Sequence, residues 1–374
     1  MRVALVHDWL TGMRGGEKVL EVLCELFPDA DLFTLVHRRG SVSPTIERHR
    51  ITTSLVQRLP LGTARYRAYL PLFPFAIEQF ALDGYDLVIS SSHCAAKAVV
   101  VPGRARHISY CHSPMRYAWD QFDEYFGPAR VGPWMSRWCY RPLLARLARW
   151  DAATAPRVHR FLANSRHVAG RIRRYYNRDS TVVYPPVDTT FFLPSPAGST
   201  ASTGAAALVV SALVPYKRVD RAIEACALAG LPLRIAGDGP DRDRLARQAG
   251  DGVTFLGRVS DETLRDEYRA ARVAILPGEE DFGIAPLEAQ ACGTPVVALA
   301  RGGALETVKN GHTGLLFPEA TAESLAETLR AALRWSFDPL RIREHAEGFS
   351  RQQHAARLRA VIDDTLASPA GRQW

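Results

Sequence analysis

Two glutamates, Glu280 and Glu288, lie close together in a segment that could do chemistry. The segment runs Pro-Gly-Glu-Glu-Asp-Phe-Gly-Ile-Ala-Pro-Leu-Glu and ends at Glu288. Pro286 suits the first turn of a helix, where its missing N–H is not needed, and Gly293 suits the end of that helix. The pattern therefore predicts a turn that carries Glu280 and a helix that carries Glu288.

Apolar runs at Val273–Leu276 and Pro295–Leu299 flank this segment and predict buried parallel strands. Glu280 would then lie at the carboxyl edge of a strand. Glu288 would lie about two helical turns further on, at ~1.5 Å per residue. Such a pair could hold two parts of one polar, phosphate-bearing ligand, although two carboxylates could also serve acid/base hydrolysis.

A glycine turn follows the first predicted strand and opens a helix. Gly15 and Gly16 would allow the backbone to approach a ligand closely, and the start of the helix would favour phosphate. The alternative is that these glycines simply make a turn.

Further polar residues follow other predicted strands. Lys217 and Arg218 could neutralise a diphosphate, or they could be an ordinary solvated pair. His112 comes directly after a strand and could be a site residue or a structural histidine. Gly302–Gly303 present backbone N–H groups at a helix start, where Glu306 could only cap the helix. Together these turns indicate a nucleoside diphosphate sugar held by helix N-termini, cations and two carboxylates.

Regular alternation of short apolar strands with helices predicts an α/β protein with two doubly wound, Rossmann-like parallel-sheet domains that face each other across a cleft. We expect the first domain over residues 1–192, a linker over 193–206, the second domain over 207–348, and a C-terminal helix over 349–374 that could pack on the first domain. The expected strands are Arg2–His7, Asp31–Leu35, Asp86–Ser90, His107–Cys111, Arg160–Ala163, Thr181–Val183, Ala207–Ala212, Pro232–Ala236, Val253–Leu256, Val273–Leu276, Pro295–Leu299 and Gly314–Phe317.

Composition narrows the class of protein. The 374 residues suit two domains, and no apolar run approaches the ~20 residues of a membrane span. The N-terminal sequence is too short and too soon polar for a signal peptide, so we expect a first strand. Six cysteines without Cys-x-x-Cys spacing suggest buried thiols in the cytoplasm.

Positive charge is concentrated in the first half. Residues 1–192 contain 26 Lys and Arg against 16 Asp and Glu, whereas residues 193–374 contain 21 against 23. The excess suggests an anionic partner, and because no nucleic-acid motif accompanies it, a lipid surface or a diphosphate is the better candidate. Arginine-rich codon usage is the alternative, since only four of the 47 cations are Lys.

The chain resembles the retaining glycosyltransferases of the GT-B fold in family four, "group 1". The resemblance covers nearly the whole chain and is strongest in SALVPYKRVDRAIEA, IAGDGPDRDRL, VTFLGRVSDETL, PGEEDFGIAPLEAQACGTPVVA, RGGALETV and GHTGLLF. The first half, with VHDWLTGMRGGEKVL, YCHSPMRYAWD, LANSRHVAGRIRRYY and VVYPPVD, resembles bacterial mannosyltransferases that assemble O-antigen and exopolysaccharide units.

The resemblance implies a role for each matching residue. His112, Lys217 and Glu280 would be the catalytic group: Glu280 would bind sugar hydroxyls, Lys217 the diphosphate, and His112 the sugar near its reactive carbon. Glu288 would bind the ribose. The remaining donor-binding residues would be Gly15, Gly16, Arg218, Arg258, Val259, Asp281, Phe282, Gly283 and Ile284. The family generally needs neither metal nor cofactor.

One position departs from the family pattern. Many relatives carry an arginine five residues before the lysine, and here that position is Ala212. A charge-assisted hydrogen bond contributes roughly 1.5–3 kcal/mol. Either Arg218 or another basic residue compensates, or the donor binds weakly, or the chain is inactive.

The acceptor side is indicated by a basic stretch with tryptophans. Trp134, Trp138 and Trp150 lie among several arginines, so the helix could rest on a membrane that carries a lipid-linked saccharide acceptor. An amphipathic helix packed on the sheet is the alternative. The stretch Tyr66–Phe80 is a second candidate.

The function predicted first is a cytoplasmic, membrane-associated hexosyltransferase, with mannose from GDP-mannose as the best candidate, in polysaccharide biosynthesis. The alternatives are a transferase that uses a UDP-sugar, a nucleotide-sugar epimerase on the same scaffold, and a catalytically silent subunit that binds a partner transferase.

Overall fold

Two parallel β-sheets, each with helices on its faces, make up the computed structural model, which describes residues 1–195 and 205–368. Among these residues, 1–185 and 354–368 form one compact unit, and 186–195 and 205–353 form the other. The prediction of two doubly wound parallel-sheet domains is confirmed.

Thirteen strands lie within the described residues. They are β1 Val3–His7, β2 Asp31–Thr34, β3 Arg50–Thr53, β4 Leu87–Ser92, β5 Arg106–Cys111, β6 Arg160–Ala163, β7 Ser180–Val182, β8 Ala207–Val210, β9 Leu233–Ala236, β10 Val253–Gly257, β11 Val273–Leu276, β12 Val296–Leu299 and β13 Gly314–Phe317.

The described residues also form seventeen α-helices. They are α1 Gly15–Leu26, α2 Pro44–Glu47, α3 Phe73–Glu78, α4 Arg116–Trp119, α5 Phe122–Phe126, α6 Pro128–Val131, α7 Pro133–Met135, α8 Arg141–Ala153, α9 Arg166–Tyr176, α10 Val219–Ala229, α11 Arg242–Gln248, α12 Asp261–Ala270, α13 Ile284–Ala291, α14 Ala304–Thr307, α15 Ala322–Arg334, α16 Pro339–Glu347 and α17 Arg351–Ala367. A π-helical segment covers Ser136–Tyr140, and 3₁₀ segments cover Leu55–Arg58, Tyr66–Leu72, Ala96–Ala98, Ala155–Arg157 and Pro215–Lys217.

The first unit contains a seven-stranded sheet in the order β3-β2-β1-β4-β5-β6-β7, with every neighbouring pair parallel. Alternate residues of β1 enter two different apolar cores: Ala4 and Val6 pack into one and Val3 and Leu5 into the other. Successive side chains of a strand point to opposite faces, so this sheet is covered on both faces.

The second unit contains a six-stranded parallel sheet in the order β10-β9-β8-β11-β12-β13. This is the doubly wound order, in which the chain reverses its direction of strand addition at β8 and β11. In the first unit the equivalent reversal lies at β1 and β4. Ligands of such sheets bind beyond the carboxyl ends of the strands at this switch point.

All twelve predicted strands are present, but the sequence prediction missed β3. Its side chains alternate between exposed and half-buried because β3 lies at the edge of the sheet. A polar edge strand lacks the apolar run that identified the others. The helix that carries the basic tryptophan stretch has a π-helical segment over Ser136–Tyr140 and becomes α-helical at Arg141.

The division between the units differs from the predicted boundary. The second unit begins at Pro186, and Phe192 packs against Tyr268 inside it, with ring centroids 5.8 Å apart. Most of the linker predicted over 193–206 lies outside the described residues. Within the first unit, Leu358 and Ile362 of α17 join the core beside β1.

Candidate functional site

In the second unit, a lysine and a glutamate meet at the switch point. Lys217 ends the 3₁₀ turn after β8, and Glu280 lies between β11 and α13. The ammonium of Lys217 is ion-paired with Glu280 Oε1, and both side chains keep some exposure, 19% and 13%. The cation and the sugar-binding carboxylate predicted from the sequence are therefore brought together.

Glu288 has a different environment. It lies inside α13, is only 5% exposed, and accepts a hydrogen bond of 3.1 Å from the hydroxyl of Tyr268. Burial raises the pKa of Tyr268 well above its ordinary value, and the Glu288 charge adds to this effect. The expected helix placement is confirmed, while the ribose-binding role stays a prediction.

Glycines allow the segments around Glu280 to pack closely. A Cβ on Gly278 would lie 2.9 Å from the carbonyl oxygen of Lys217. A Cβ on Gly302, whose φ is +60°, would lie 2.3 Å from the carbonyl oxygen of Glu280, and the N–H of Gly303 donates to that oxygen at 2.8 Å. The turns after β8, β11 and β12 thus hold one another in place.

The residues after Glu280 that are predicted to bind the donor differ in exposure. Asp281 and Phe282 are buried, and Phe282 packs against Phe349 at 5.9 Å between ring centroids. Gly283 precedes α13 with a φ of +90°, and Ile284 is the first helical residue. This backbone places N–H groups at a helix start, as predicted, whereas the phosphate and sugar contacts stay predictions.

The predicted base-bordering loop follows β10. Arg258 is exposed and Val259 is half-buried. Gly257 precedes them with a φ of +68°, and its carbonyl oxygen accepts from the N–H of Gly237 at 2.8 Å. The loop is therefore tied to the end of β9, but its role toward a base stays a prediction.

Several cations lie near Lys217. Arg218 has a φ of +55° and is paired with Asp220 through two contacts of 3.2 Å. The guanidinium of Arg221, which the sequence analysis did not single out, donates to the carbonyl oxygen of Pro277. Burial lowers the pKa of Arg221, and the charges of Arg218 and Arg301 act in the same direction.

Ala212 itself is exposed, so the position where many relatives carry arginine is open to solvent. Arg218 is a candidate to replace that arginine, but its side chain is held by Asp220. Arg301 is exposed, follows β12, and acts electrostatically on Arg221. Arg301 is therefore a second candidate for the missing charge.

In the first unit, a polar cluster lies at the carboxyl ends of β1, β4 and β5. Ser91 Oγ lies 3.1 Å from His7 Nδ1 and 2.8 Å from His112 Nε2. Asn164 donates to the carbonyl oxygen of His112 at 2.8 Å. His112 thus follows β5 as predicted, and it belongs to a hydrogen-bonded group.

The glycine turn reaches this cluster at the start of α1. Gly15 and Gly16 are the first residues of α1. A Cβ on Gly16 would lie 3.4 Å from His7 Cε1 and 3.5 Å from His112 Nε2. The turn therefore lies directly against the histidines.

Asp8 anchors the loop after β4. Its carboxylate is fully buried and accepts four backbone N–H groups, those of residues 93 to 96, at 2.6 to 2.9 Å. His93 Nδ1 lies 3.1 Å from the same carboxylate, and the His93 ring meets Trp9 edge-on at 4.4 Å.

Burial and neighbouring charges determine the protonation of the cluster. Burial lowers the pKa of His112 well below its ordinary value, and His93 and His7 add to this. Burial likewise lowers the pKa of His93, although the Asp8 charge opposes the shift. For Glu17 burial acts to raise the pKa, but the neighbouring His7 outweighs this effect, so the pKa is lowered. We infer a neutral His112 and an ionised Glu17.

The sequence analysis missed His7, Asp8, Glu17, Ser91 and His93. The signal was present, because polar residues end two otherwise apolar strands in Val-Ala-Leu-Val-His-Asp and Leu-Val-Ile-Ser-Ser-Ser-His. What the sequence does not show is that β1 and β4 are neighbours. Within the described residues, no three His, Cys, Asp or Glu side chains are grouped to hold a metal ion, and independence from metal stays a prediction.

The basic tryptophan stretch is largely exposed. Trp134 is 66% exposed and Trp138 63%, whereas Trp150 is half-buried and donates to Glu78 at 3.1 Å. Leu144 and Leu147 face the core. Along residues 1–195 and 205–368, no helix has the length and apolarity needed to cross a bilayer.

Solved structures share the fold over nearly the whole chain. Sucrose-phosphate synthase from Thermosynechococcus elongatus aligns with a TM-score of 0.72 and 19% identity, over 99% of this chain and 100% of that one. Anabaena HepE in complex with UDP-glucose aligns with a TM-score of 0.71 and 19% identity, over 97% and 100%. At these identities the likeness concerns the fold, which is that of the GT-B glycosyltransferases.

Two family models account for most of the chain. The model "Glycosyltransferase Family 4" matches residues 13–191, and the model "Glycosyl transferases group 1" matches residues 197–349. Both models describe glycosyltransferases and together they cover most of the chain, so the chain belongs to the glycosyltransferases.

Curated relatives match about half of the chain. The D-inositol 3-phosphate glycosyltransferase of Rhodococcus erythropolis is 35% identical over 230 residues, which are 52% of this chain and 51% of the relative. That of Geodermatophilus obscurus is 34% identical over 256 residues, 56% and 57% respectively. The chain thus spans little more than half the length of these relatives.

Proposed function

We propose that the protein is a retaining, metal-independent hexosyltransferase that takes a sugar from a nucleoside diphosphate donor. The observation that carries this proposal is the pairing of Lys217 with Glu280 at the switch point of the second sheet. A cation and a carboxylate at this edge suit the two parts of such a donor. The cation can bind the diphosphate, and the carboxylate can accept hydrogen bonds from the sugar hydroxyls.

In this proposal the donor exchanges partners with the ion pair. The diphosphate oxygens compete with Glu280 for the ammonium of Lys217. The released carboxylate then accepts hydrogen bonds from the sugar hydroxyls. As the sugar leaves, negative charge grows on the diphosphate, and Lys217 together with the N-terminus of α13 stabilises it.

Neither Glu280 nor Glu288 is placed as an obvious covalent nucleophile, since Glu280 is paired with Lys217 and Glu288 accepts a hydrogen bond from Tyr268. We therefore propose front-face substitution with retention, in which the leaving phosphate takes the acceptor proton. His112 would contact the sugar near its reactive carbon. Product anomericity, measured by NMR, tests retention directly, and an inverted product would contradict it.

For the donor we propose GDP-mannose first, on the resemblance of the first half to mannosyltransferases. A UDP-sugar is the second candidate, and it is supported by the fold likeness to HepE, which was solved with UDP-glucose. Calorimetry with GDP-mannose, UDP-glucose and UDP-N-acetylglucosamine separates the two. A clear preference for a uridine donor would overturn the GDP-mannose proposal while leaving the transferase proposal intact.

A silent partner subunit is a second candidate function, favoured by Ala212. Such a subunit would bind a transferase without turning over a donor. Donor hydrolysis or transfer by the purified chain, lost in a Glu280 variant, would exclude it.

For the acceptor we propose a lipid-linked saccharide at an anionic membrane surface, as in the assembly of cell-surface polysaccharide. Two stretches of the first unit support this, because residues 48–77 and 125–150 each contain five arginines and neither Asp nor Glu. Exposed apolar side chains stand among these cations: Leu61, Leu72, Phe75, Trp134, Met135 and Trp138. Aromatic side chains with surrounding Arg are suited to a lipid interface.

Vesicle flotation tests the membrane proposal. The protein should float with vesicles that contain phosphatidylglycerol and much less with pure phosphatidylcholine, and added salt should release it. Changing both Trp134 and Trp138 to Ser should weaken flotation at least several-fold. Trp335→Ser is the matched control, because Trp335 is 48% exposed in the second unit. Equal flotation of both variants would contradict the proposal.

A further inference from the structure

Ser91 connects two histidines at the candidate site. Its hydroxyl lies between His7 Nδ1 and His112 Nε2, at 3.1 and 2.8 Å. On the far side of His7, Nε2 is fully buried, has no hydrogen-bond partner among the described residues, and lies 3.8 Å from Glu17 Oε1. These four side chains form a line from Glu17 to His112.

A count of hydrogens gives this line a direction. A serine hydroxyl has one hydrogen, so Ser91 can donate to only one of the two histidines and must accept from the other. A neutral imidazole likewise donates from one nitrogen and accepts at the other. Once one member of the line is fixed, every other member follows.

Glu17 fixes the first member. Its carboxylate attracts a proton onto His7 Nε2, because a bare nitrogen facing the carboxylate would be repelled. At a pH above the ordinary histidine pKa, a His7 that carries one proton, on Nε2, has a bare Nδ1, which accepts the Ser91 hydrogen. Ser91 in turn accepts from His112, whose proton must lie on Nε2.

We propose that Ser91 is a positioning residue that holds neutral His112 with its proton on Nε2 and its Nδ1 free to accept a hydrogen bond. The role of His112 toward a sugar rests on the proposed function, but its tautomer does not. A hydroxyl of the ligand would donate the hydrogen bond that His112 Nδ1 accepts. A Cβ on Gly16 would lie 3.5 Å from the same His112 nitrogen that Ser91 holds, so the glycine leaves open the space beside this ring.

Nitrogen-15 NMR of the histidine rings tests the tautomer without any substrate. At about pH 8, above the ordinary histidine pKa, the His112 signals should show a protonated Nε2 and a bare Nδ1. Ser91→Ala should convert them to a mixture of tautomers. Ser90→Ala is a matched control, because Ser90 is equally buried in β4 and contacts His107 Nε2 at 2.9 Å instead.

Kinetics tests the consequence of the tautomer. Ser91→Ala should lower kcat by roughly five- to tenfold, the loss of one net hydrogen bond, with the donor KM changed by less than about twofold. Ser91→Thr, which restores the hydroxyl, should recover most of the rate. Ser90→Ala should leave both parameters within about twofold of the wild type.

Glu17→Gln provides a second variant if Ser91→Ala does not fold. It removes the charge that sets the direction, so His112 should again show mixed tautomers. An unchanged His112 tautomer in both variants would overturn the positioning role even if the protein is an active transferase. If the NMR result is as expected but the purified protein transfers no sugar, the positioning role of Ser91 stands and the proposed function is refuted.

Discussion

Two glutamates of one short segment differ at the residue scale in what they can do. Glu280 keeps partial exposure and is held by a lysine, whereas Glu288 is buried and held by a tyrosine hydroxyl. An ion pair with solvent access can exchange partners when an anionic ligand arrives. A buried carboxylate with a neutral partner is suited to orient one fixed group.

Glu280→Gln should lower kcat/KM for transfer by about 10- to 150-fold. The substitution keeps the shape but removes the charged acceptor, whose hydrogen bonds are worth roughly 1.5–3 kcal/mol each. Steady-state transfer assays measure the loss. Glu279→Gln is the neighbouring control, since Glu279 is exposed, and it should retain activity. Equal losses in both variants would argue against a specific role for Glu280.

Ala212→Arg should strengthen binding of a nucleoside diphosphate by about tenfold, one charge-assisted hydrogen bond. The position is exposed, so the longer side chain fits without repacking. Calorimetry with GDP and UDP measures the gain, with Ala212→Gln as the uncharged control. No gain would indicate that another cation, such as Arg301, already supplies the charge.

At the scale of single residues, the sequence predicted the position of a side chain where the neighbouring residues already identified a strand. Glu280, Lys217 and His112 each follow a strand that the apolar pattern identified, and the structure places them at strand ends. The sequence analysis missed His7, Ser91 and Glu17, because these residues come together only through the pairing of strands, which the sequence does not show. β1 and β4 pair although some 80 residues separate them along the chain, as the register Val6↔Ser90 shows.

At the scale of elements, the switch points decide where chemistry can occur. In each sheet the chain leaves two central strands in opposite directions, and the turns that follow diverge and leave room for side chains. The missed strand β3 lies at the edge of its sheet, two strands away from β1 and its switch point. Local polarity concealed β3, but its absence from the prediction did not affect the site.

Gly16→Ala, at the start of α1, should affect the stability of the protein and its activity differently. Ala is favoured over Gly in a helix by roughly 0.5–1 kcal/mol, so the free energy of unfolding should not fall. The new Cβ would meet His7 and His112 at ordinary contact distances of 3.4 and 3.5 Å, but it would fill the space that lets this backbone approach a ligand closely, so activity should drop at least tenfold. Thermal unfolding and transfer assays measure the two effects.

Gly170→Ala in α9 is the control for that variant, because nothing lies within 4 Å of its Cβ. It should gain stability and keep activity. Parallel loss of stability and activity in Gly16→Ala would indicate a folding defect and contradict the expectation.

At the scale of the whole molecule, each unit has its own apolar core, so stability should be measured unit by unit. Of the six tryptophans among the described residues, five lie in the first unit, at positions 9, 119, 134, 138 and 150. Tryptophan fluorescence therefore reports mainly on the unfolding of that unit. The division at Pro186 could not be predicted because the residues that follow it have no linker composition.

His107 should make the first unit sensitive to acid. Burial lowers its pKa to about 3, while the backbone contact with Arg157 acts in the opposite direction. Below about pH 6.5, the ordinary pKa of a histidine in an unfolded chain, the unfolded state therefore binds a proton at His107 that the native state does not. Stability falls as the pH falls from about 6.5 toward 3, and the His107 contribution between about pH 7 and 5 is ~2 kcal/mol.

Urea unfolding at these two pH values measures this effect. In His107→Gln the change in the free energy of unfolding between these pH values should be smaller by that amount. Some pH dependence should remain, because other buried histidines still contribute. An unchanged pH dependence in the variant would show that His107 does not cause the acid sensitivity.

The buried carboxylate of Asp8 has a consequence for how the protein exchanges hydrogen with solvent. It accepts hydrogen bonds from the backbone N–H groups of His93, Cys94, Ala95 and Ala96, which lie in the loop directly after β4. Loop amides usually exchange with deuterium quickly, since small local openings expose them. Here four consecutive amides share one buried anion, so they should open only together and exchange as slowly as the core of the sheet.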